Sequence, residues 1–349
     1  MKSKRTSSIT VVASFVLLLS LSLIGVTNTW CAQNTIALSK TYSWKMTSTF
    51  PAGHHENTIL KRFIDIMNTR TDGKVKIALF EATLGAPTDQ WDMLKNNAIQ
   101  IAYLGEAYNT GRMPISSILN LPFEVSDMAS TALVYEEWAK AGYLREVTDN
   151  FKLLGQTPVD LMQFFFRNKK VMTQADLKGL KIRTVSALHG RIVTTLGAAG
   201  VSMPGGEMYM GLQTGIIDGI ITGIGGFNDR KLYETCKYGM EFPLAAGIFV
   251  VAMNKETWEG LPSELQNLMA EAGREVSAAD VKRKVDMEKG QWDVARKAGV
   301  TIYTISPEEK ARWKKAVSDV DDKYIAEIIA RGYPAKEAVD LMRKVAGKK

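Results

Sequence analysis

Arg183 is the residue whose type and position best suit binding chemistry in this sequence. It lies within residues 176–222, where the pattern predicts a short helix, a strand ending at Arg183, a helix, a second strand, another helix and a third strand. A guanidinium group presents a planar fork of N–H donors that matches a carboxylate through two parallel hydrogen bonds. We therefore predict that Arg183 binds a ligand carboxylate between two lobes. Pairing with a structural acidic residue is the alternative.

The remaining residues form no recognisable catalytic or cofactor motif. The sequence has three histidines. His54 and His55 are adjacent, so we expect their rings to face different ways, and His189 lies inside a predicted helix. No nucleophile elbow, phosphate-binding loop or zinc-protease motif occurs, and the glycines of 222–227 lack the strand-turn-helix context of a nucleotide site. We predict no catalytic residue, no cofactor and no bound metal ion.

Strand and helix patterns alternate along the first half of the chain. This alternation is typical of a largely parallel sheet covered by helices. Ligands of such sheets bind beyond the carboxyl ends of the strands. The strand ends expected to contribute are the segments 47–55, 80–86 and 105–108.

Two apolar strand patterns, at 159–166 and 247–254, are predicted to cross between the lobes. The lobes are then residues 41–158 plus 247–290, and residues 159–246 plus 291–349. A long helical region follows from 255 to 299, and its charged part, 274–289, is interpreted as a mostly solvated face. Because crossing segments rather than a flexible linker join the lobes, we predict a two-lobed α/β protein with a hinge and a central cleft.

The N-terminal segment is predicted to be removed. Residues 1–32 have the layout of a secretory signal peptide, since three basic residues precede an apolar run that is short for a membrane span; a membrane anchor is the alternative. Its removal takes those three basic residues and lowers the net charge from +7 to +4. No basic cluster stands beside aromatic residues, so nucleic-acid binding is not predicted. Cys236 remains as a single cysteine, which excludes an internal disulfide.

Several motifs occur in a fixed order along the chain. The most specific are D-L-K-G-L-K-I-R at 176–183 and E-M-Y-M-G-L-Q-T-G-I-I-D-G at 207–219. Shorter motifs precede them: a Gly-His turn at 50–54, T-D-G-K-V at 71–75, L-G at 84–85 and L-P-F at 121–123. The ordered set resembles the extracytoplasmic solute-binding proteins of TRAP transporters, the DctP-type family, over nearly all of the mature chain.

The resemblance implies a fold and a function. The fold would be two α/β lobes around a cleft, with a long helix that spans both lobes. The function would be to bind a small organic acid in the periplasm, through Arg183, and to deliver it to the membrane subunits of a TRAP permease. We expect a monomer. One alternative is that the same fold serves as a ligand sensor, which docks to a receptor domain. A second alternative is an exported enzyme.

Three positions depart from the family pattern that the resemblance implies. Gln163 stands near the place of a second arginine, Gly205 stands where many members carry a bulky side chain, and Thr222 replaces an asparagine that contacts the ligand. A Glu-Trp pair that binds a metal-bridged acid in one subgroup is absent, which is why no metal is expected. A single arginine and a glycine in place of bulk predict a monocarboxylate with a larger or less polar body.

Further residues are predicted to line the pocket. Tyr108, Phe164 and Phe227 are candidates for its apolar walls, with core packing as the alternative. Glu106 is expected to bind a ligand hydroxyl or amine, or to repel dianions, with a solvated surface position as the alternative. His54 stands at the carboxyl edge of the first strand and is expected to contact the ligand.

Overall fold

The structure is a computed structural model that describes residues 35–347, so the predicted signal peptide at 1–32 lies outside the described residues. In chain order the strands are β1 (Tyr42–Ser48), β2 (Val75–Glu81), β3 (Ile101–Gly105), β4 (Phe151–Pro158), β5 (Met162–Phe166), β6 (Lys181–Thr184), β7 (Ala199–Ser202), β8 (Gly219–Thr222), β9 (Tyr238–Ala245), β10 (Ile248–Asn254) and β11 (Thr301–Tyr303). The α-helices are α1 (Thr58–Arg70), α2 (Gln90–Lys95), α3 (Met128–Lys140), α4 (Arg145–Thr148), α5 (Ala187–Thr195), α6 (Met208–Thr214), α7 (Ile224–Asp229), α8 (Lys255–Glu259), α9 (Ser263–Lys297), α10 (Pro307–Ala330) and α11 (Ala335–Val345).

The first lobe is built on a sheet with the strand order β2-β1-β3-β10-β4. Strands β1, β2 and β3 run parallel, as the alternation of strands and helices predicts. Strand β10 returns antiparallel between β3 and β4. Since β2 is at the edge of the sheet, the carboxyl ends of β1 and β3 lie nearer its middle.

The second lobe is built on a sheet with the order β11-β9-β5-β8-β6-β7. Strands β6, β7 and β8 are parallel, and they come from the strand-helix alternation predicted for residues 176–222. Strand β5 is antiparallel to β8, which places Gln163 opposite Thr222. The carboxyl ends of β6 and β8 therefore lie side by side, and Arg183 and Thr222 are at those ends.

Helix α9 connects the two lobes. It has 35 residues, which at about 1.5 Å per residue gives a length of about 52 Å. In the first lobe the backbone N–H of Gln156 donates to Ser277 Oγ at 2.9 Å. In the second lobe Asn228 Nδ2 donates to the carbonyl of Gln291 at 2.8 Å. The predicted long helix across both lobes is thus present.

The two chain crossings lie beside each other. The predicted strand 159–166 is shorter in the structure, because residues 159–161 form the first crossing and β5 begins at Met162. The N–H of Val159 donates to the carbonyl of Gly247, in the second crossing, at 3.0 Å. Two hydrogen-bonded crossings and one continuous helix are the chain connections around which the lobes can hinge.

Close packing holds α9 against the first lobe. Gly273 lies over β4, and a Cβ atom added there would be 1.9 Å from the carbonyl oxygen of Leu154. Glycine is required at this position because no side chain fits between helix and strand. On the same sheet, the side chains of Leu154, Val251 and Met253 are buried against Leu265 and Met269 of α9.

The C-terminal helices pack on both lobes. Trp138 of α3 donates its indole N–H to the carbonyl of Ala338 of α11 at 2.9 Å. The prediction grouped residues 291–349 with the second lobe, whereas α11 contacts the first lobe through this bond. None of the helices in residues 35–347 combines the length and apolarity of a membrane span.

Candidate functional site

A cavity of about 80 Å³ lies between the lobes, at the carboxyl ends of β1, β3, β6 and β8. A single water molecule needs only about 10–15 Å³ by a comparable measure, so the cavity can hold a small organic molecule. None of its described lining residues comes from 80–86, although we predicted that segment as a contributor. The reason is the strand order, because β2 is the edge strand of its sheet.

The cavity wall is apolar over much of its surface. The apolar side chains among the lining residues include Phe50, Val159, Met162, Val185, Met208, Ile221 and Phe249. Phe50 packs against Phe249 with ring centroids 5.1 Å apart. Such a wall favours a ligand with a hydrocarbon body.

Arg183 is fixed at one end of this cavity. Its side chain is buried, with 4% of the residue exposed. Nε donates to the carbonyl of Met203 at 2.9 Å, and Nη1 donates to the carbonyl of Ile221 at 3.1 Å. No described carboxylate forms a salt bridge with it, and burial lowers its pKa from the usual value while Tyr108 opposes that shift. The predicted alternative, a structural acidic partner, is not seen in residues 35–347.

Arg230 provides a second guanidinium group in the cavity and is not among the residues predicted from the sequence. It directly follows α7, and its Nη1 lies 2.5 Å from His54 Nε2. Its guanidinium carbon is 5.8 Å from the centre of the Phe50 ring. No salt bridge joins it to a carboxylate within the described chain; burial lowers its pKa, as does the charge of Arg183. The two arginines therefore face the same space.

Two glycines leave room for Arg230. A Cβ atom on Gly205 would be 3.4 Å from Arg230 Nη2. A Cβ atom on Gly226 would be 3.4 Å from Arg230 Nη1, 3.6 Å from Thr222 Oγ1 and 3.8 Å from His54 Nε2. The space that Gly205 opens is thus occupied by Arg230, and not left free for a larger ligand as the sequence analysis expected.

Glu106 lines the cavity and is buried, so the surface alternative for it is wrong. Its Oε1 accepts a hydrogen bond from Asn120 Nδ2 at 2.8 Å, and its Oε2 accepts one from the N–H of Ile248 at 2.9 Å. Burial outweighs these bonds and raises the pKa of Glu106 to about 7. The carboxyl group is therefore partly protonated at neutral pH.

His54 lines the cavity as predicted, but the expected divergence of the two histidine rings is wrong. The rings of His54 and His55 stack, with centroids 4.8 Å apart and 22° between the planes, because a short 3-10 turn begins here. Burial and the charges of Arg230 and His55 lower the pKa of His54 to about 3, so it is neutral. The side-chain atoms of His54, His55 and Asp229 that could coordinate a metal ion lie within 4.8 Å of one another. These atoms already contact Arg230 and each other, and an adjacent guanidinium disfavours a cation.

Behind the cavity lies a group of seven charged residues that joins the lobes and α9. We call it the interlobe charge network, and its members are His55, Glu56, Asp160, Asp229, Asp280, Arg283 and Lys284. Three members are cations when His55 is protonated, and four are carboxylates. The network thus carries one negative charge in excess.

Lys284 and His55 are the two centres of this network. Lys284 Nζ lies 2.7 Å from Glu56 Oε2 and 3.4 Å from Asp280 Oδ2, and it also donates to the carbonyl of Pro158 at 2.7 Å. His55 Nδ1 lies 2.6 Å from Asp229 Oδ2. Its Nε2 lies 3.3 Å from Glu56 and 3.4 Å from Asp160, without a well-aligned hydrogen bond to either.

The partners keep these buried groups ionised. Burial alone would lower the pKa of His55, but the contacts with Asp160, Asp229 and Glu56 raise it to about 11. Burial alone would raise the pKa of Glu56, but Lys284 and His55 hold it well below its usual range. The interpretation of 274–289 as a mostly solvated face is therefore wrong at Asp280 and Lys284, which are both buried.

Six predicted site residues line the cavity: Arg183, Thr222, Gly205, Glu106, His54 and Tyr108. The other three, Gln163, Phe164 and Phe227, are not among its lining residues. Phe164 packs against Phe166 and Trp313, and Phe227 stacks on Phe165 at 4.1 Å, so both aromatic rings belong to the core. Gln163 is buried on β5 and its Oε1 has no hydrogen-bond partner in the described structure.

Known proteins resemble most of the described chain. The profile of a family described as "Bacterial extracellular solute-binding protein, family 7" matches residues 46–327. A curated relative, the 2,3-diketo-L-gulonate-binding periplasmic protein of Escherichia coli K12, is 27% identical over 292 residues, which are 82% of this chain and 85% of the relative.

Solved structures share the fold. A TRAP solute binding protein from Rhodoferax ferrireducens T118, in complex with copurified benzoate, superposes with a TM-score of 0.82 at 23% identity, covering 88% of this chain and 98% of its own. A marine metagenome TRAP solute binding protein specific for aromatic acid ligands, with 3-hydroxybenzoate, superposes with a TM-score of 0.81 at 22% identity, covering 88% and 99%.

The fold and the cavity define a two-lobed α/β binding protein, as predicted. The chain belongs to the bacterial extracellular solute-binding protein family 7, the DctP family, which confirms the resemblance stated from its motifs. Members of this family are substrate-binding receptors of TRAP transporters and bind small organic acids.

Proposed function

We propose that this protein captures a small monocarboxylate in the interlobe cavity through Arg183 and delivers it to a TRAP-type permease. The observation that carries the proposal is a buried arginine, held by two backbone carbonyls, that faces the cavity without a carboxylate partner among the described residues. A buried charge without a partner is costly unless something else pairs with it. An anionic ligand supplies that partner.

The energy available from this contact suits reversible capture. Charge-assisted hydrogen bonds contribute about 1.5–3 kcal/mol each. Two of them supply a large share of the roughly 8 kcal/mol of a micromolar complex. The folded protein has already removed Arg183 from water, so binding does not repeat that cost.

The ligands of related proteins agree with this class. The names of the relatives described above include 2,3-diketo-L-gulonate, benzoate and 3-hydroxybenzoate, and each of these is a monocarboxylate. The apolar wall around Phe50 and Phe249 supports a ligand with a hydrocarbon body. The lack of an arginine at Gln163 is not an argument for a monocarboxylate, because Arg230 supplies a second arginine in the cavity.

The remaining parts of the proposal concern location and partners. We infer that residues 1–32 direct export and are cleaved, that the mature protein is a periplasmic monomer, and that it releases its ligand unchanged. The sensor and enzyme alternatives differ in outcome. A sensor needs no permease for its effect, and an enzyme converts the acid that it binds.

A thermal-shift screen tests the central contact. The panel contains benzoates, aliphatic monocarboxylates, 2-oxo and 2-hydroxy acids and C4-dicarboxylates, each at a concentration of 1–5 mM chosen for the screen. At about 100 times Kd a ligand stabilises by about 2.7 kcal/mol, which raises the melting temperature of a protein of this size by about 4 °C. We expect such shifts for the wild type and none for Arg183→Met.

An exposed arginine provides the matched control. The side chain of Arg145 is 76% exposed and pairs with Asp149 at 3.5 Å, so Arg145→Met should keep the full ligand response. The unliganded melting temperature of Arg183→Met should not fall, because the change removes an uncompensated buried charge. Wild-type affinity in Arg183→Met would show the central contact to be wrong, and turnover of a bound acid would show the protein to be an enzyme.

A further inference from the structure

We propose that Arg230 is a specificity residue that binds a second, uncharged oxygen acceptor of the ligand, such as a hydroxyl or oxo group. The ligand class is then a monocarboxylate that carries a further oxygen, and neither a plain hydrocarbon acid nor a dicarboxylate. This inference rests on the proposed function, since it takes the carboxylate to bind at Arg183.

The geometry places three polar groups around one point of the cavity. The position of an added Cβ on Gly226 is within 4 Å of Arg230 Nη1, Thr222 Oγ1 and His54 Nε2. Gly226 lines the cavity, and so do all three polar residues. A ligand oxygen near this point has a guanidinium donor and a hydroxyl donor within reach. An apolar group there would leave the guanidinium desolvated and unpaired.

His54 orients the guanidinium without neutralising it. Its Nε2 lies 2.5 Å from Arg230 Nη1 and, because the ring is neutral, accepts one hydrogen bond from that arginine. The ring proton is then on Nδ1, which lies 3.5 Å from Asp229 Oδ2. With Nε2 as the acceptor for Arg230, the ring directs the guanidinium towards the cavity. The remaining N–H groups of the guanidinium are available to the ligand.

The balance of charge limits the ligand to one negative charge. Arg183 and Arg230 add two positive charges beside the interlobe charge network, which has one negative charge in excess. Glu106 is the remaining titratable carboxyl group of the lining within residues 35–347, and it is partly protonated at neutral pH. With Glu106 protonated, the two arginines and the interlobe charge network together carry a single positive charge. A monoanionic ligand balances this charge and a dianion does not.

The two arginines differ in how far their charge is already offset. The carboxylates of Asp229 and Glu56 act on Arg230, whereas no described carboxylate acts on Arg183. The carboxylate of the ligand therefore belongs at Arg183. Arg230 keeps strong N–H donors while its charge is partly balanced, which suits a neutral acceptor oxygen.

Matched ligand sets test the inference on the wild-type protein. Each set compares three kinds of acid with the same aliphatic or aromatic core: the plain acid, the hydroxy or oxo monocarboxylate, and the dicarboxylate. Butanoate, 2-hydroxybutanoate, 2-oxobutanoate and succinate form one set, and benzoate, the three hydroxybenzoates and phthalate isomers form another. Titration calorimetry measures Kd. We expect at least one oxygen-bearing monocarboxylate to bind about 10- to 100-fold more tightly than its plain acid and its dicarboxylate.

Substitution of Arg230 tests the assignment to this residue. Arg230→Met and Arg230→Gln should reduce the advantage of the oxygen-bearing acid over the plain acid to about threefold or less. Because the loss of the Arg230 charge weakens the binding of both acids, the ratio of their two Kd values is the readout. Arg191→Met is the control, because Arg191 is half-exposed and pairs with Glu327 at 2.7 Å on the surface. It should keep the full advantage.

The possible outcomes separate this inference from the proposed function. If acids bind in an Arg183-dependent way but the further oxygen gives no advantage, or a dicarboxylate binds most tightly, the inference is overturned and the proposed function stands. Equal loss of plain and oxygen-bearing acids in both Arg230 variants also overturns it, because Arg230 would then hold the carboxylate or the fold. If no acid in the panel binds, the proposed function fails and the inference fails with it.

Discussion

The cavity and the interlobe charge network are neighbours that treat buried charge in opposite ways. In the network, every ionic group lies within 3.5 Å of an opposite charge, as in the pairs Lys284–Glu56 at 2.7 Å and Arg283–Asp280 at 2.6 Å. In the cavity, Arg183 and Arg230 contact backbone carbonyls, a neutral histidine and an aromatic ring, and no described carboxylate.

This difference separates a structural role from a binding role. Breaking a buried ion pair leaves one charge uncompensated and costs several kcal/mol, whereas a buried charge that has no partner in the protein can gain one from a ligand. Substitutions in the network should therefore change stability, and substitutions in the cavity should change ligand affinity. Substitutions of three residues, Lys284, Glu106 and Gly205, test that separation, in order of the expected size of the effect.

The largest effect is expected for Lys284→Met. The change leaves Glu56 and Asp280 buried without their nearest shared cation, so the free energy of unfolding should fall by about 3–5 kcal/mol. Urea denaturation measures it. The control is Lys282→Met, two residues away on the same helix, where the side chain is 77% exposed and pairs with Asp286 on the surface. That variant should lose less than about 0.5 kcal/mol.

A loss in Lys284→Met no larger than in its control would mean that the network does not stabilise the fold. A normal melting temperature combined with lost ligand binding would reverse the assignment of roles. In that case Lys284 would belong functionally to the cavity.

An intermediate effect is expected from the protonation of Glu106. Its pKa of about 7 arises from burial, and a bound carboxylate nearby should raise that pKa further by about one unit. The affinity for a monocarboxylate should then fall by about fivefold as pH rises from 6 to 8. His54 and His55, with pKa values of about 3 and about 11, do not titrate in this window.

Glu106→Gln provides the comparison, since an amide resembles the protonated carboxyl group. The variant should bind with a Kd that is nearly constant between pH 6 and 8. The amide oxygen of Asn120 has no partner in the described structure, so a flipped Asn120 can accept a hydrogen bond from the new amide. A pH dependence that persists unchanged in this variant would rule out Glu106 as its source.

The same pKa has a consequence for the stability of the unliganded protein. Because the folded value of about 7 is above the ordinary 4.5, Glu106 contributes stability that is present below pH 4.5 and is lost as pH rises through 7. The wild type should therefore lose stability relative to Glu106→Gln across this window. Urea midpoints of both proteins at pH 5 and pH 8 measure the difference.

The smallest effect is expected for Gly205→Ala. The added methyl group would be 3.4 Å from Arg230 Nη2, at the edge of ordinary van der Waals contact, so it would restrict the movement of the guanidinium. We expect an affinity loss of about three- to tenfold for an oxygen-bearing acid, with the melting temperature within about 2 °C of wild type. Gly206→Ala is the matched control, because its Cβ meets nothing within 4 Å. Equal affinities of the two variants would show that Gly205 does not influence ligand binding through Arg230.

Much of the fold follows from local pattern. Residues 176–222 form the predicted succession of strands and helices, because alternation of apolar residues and helix periodicity are properties of neighbouring residues. Arg183 was predicted in this way, since it stands at a strand end in a motif that resembles the family pattern. The ends of β1 and β3 were found for the same reason, whereas the end of β2 was misassigned because sequence does not give strand order.

Other site residues depend on distant parts of the chain meeting. Arg230 reaches the cavity only because α7 lies beside the turn that carries His54, which is 176 residues earlier. The absence of an arginine at Gln163 gave no indication that another segment supplies one. Phe164 and Phe227 are core residues because the rings of β5 and α7 meet Trp313 and Phe165, which periodicity alone does not reveal.

Sequence by itself determined the family, the two-lobed α/β class and Arg183 as the candidate residue for binding a ligand carboxylate, because short motifs and local periodicity indicate all three. Tertiary structure alone decided which charges are paired. Asp280 and Lys284 look like exposed helix residues in sequence, yet the crossing of α9 over the lobe junction buries them against Glu56. The same junction leaves Arg183 and Arg230 without a carboxylate partner among the described residues, since the energy of a buried charge depends on what surrounds it in space rather than along the chain.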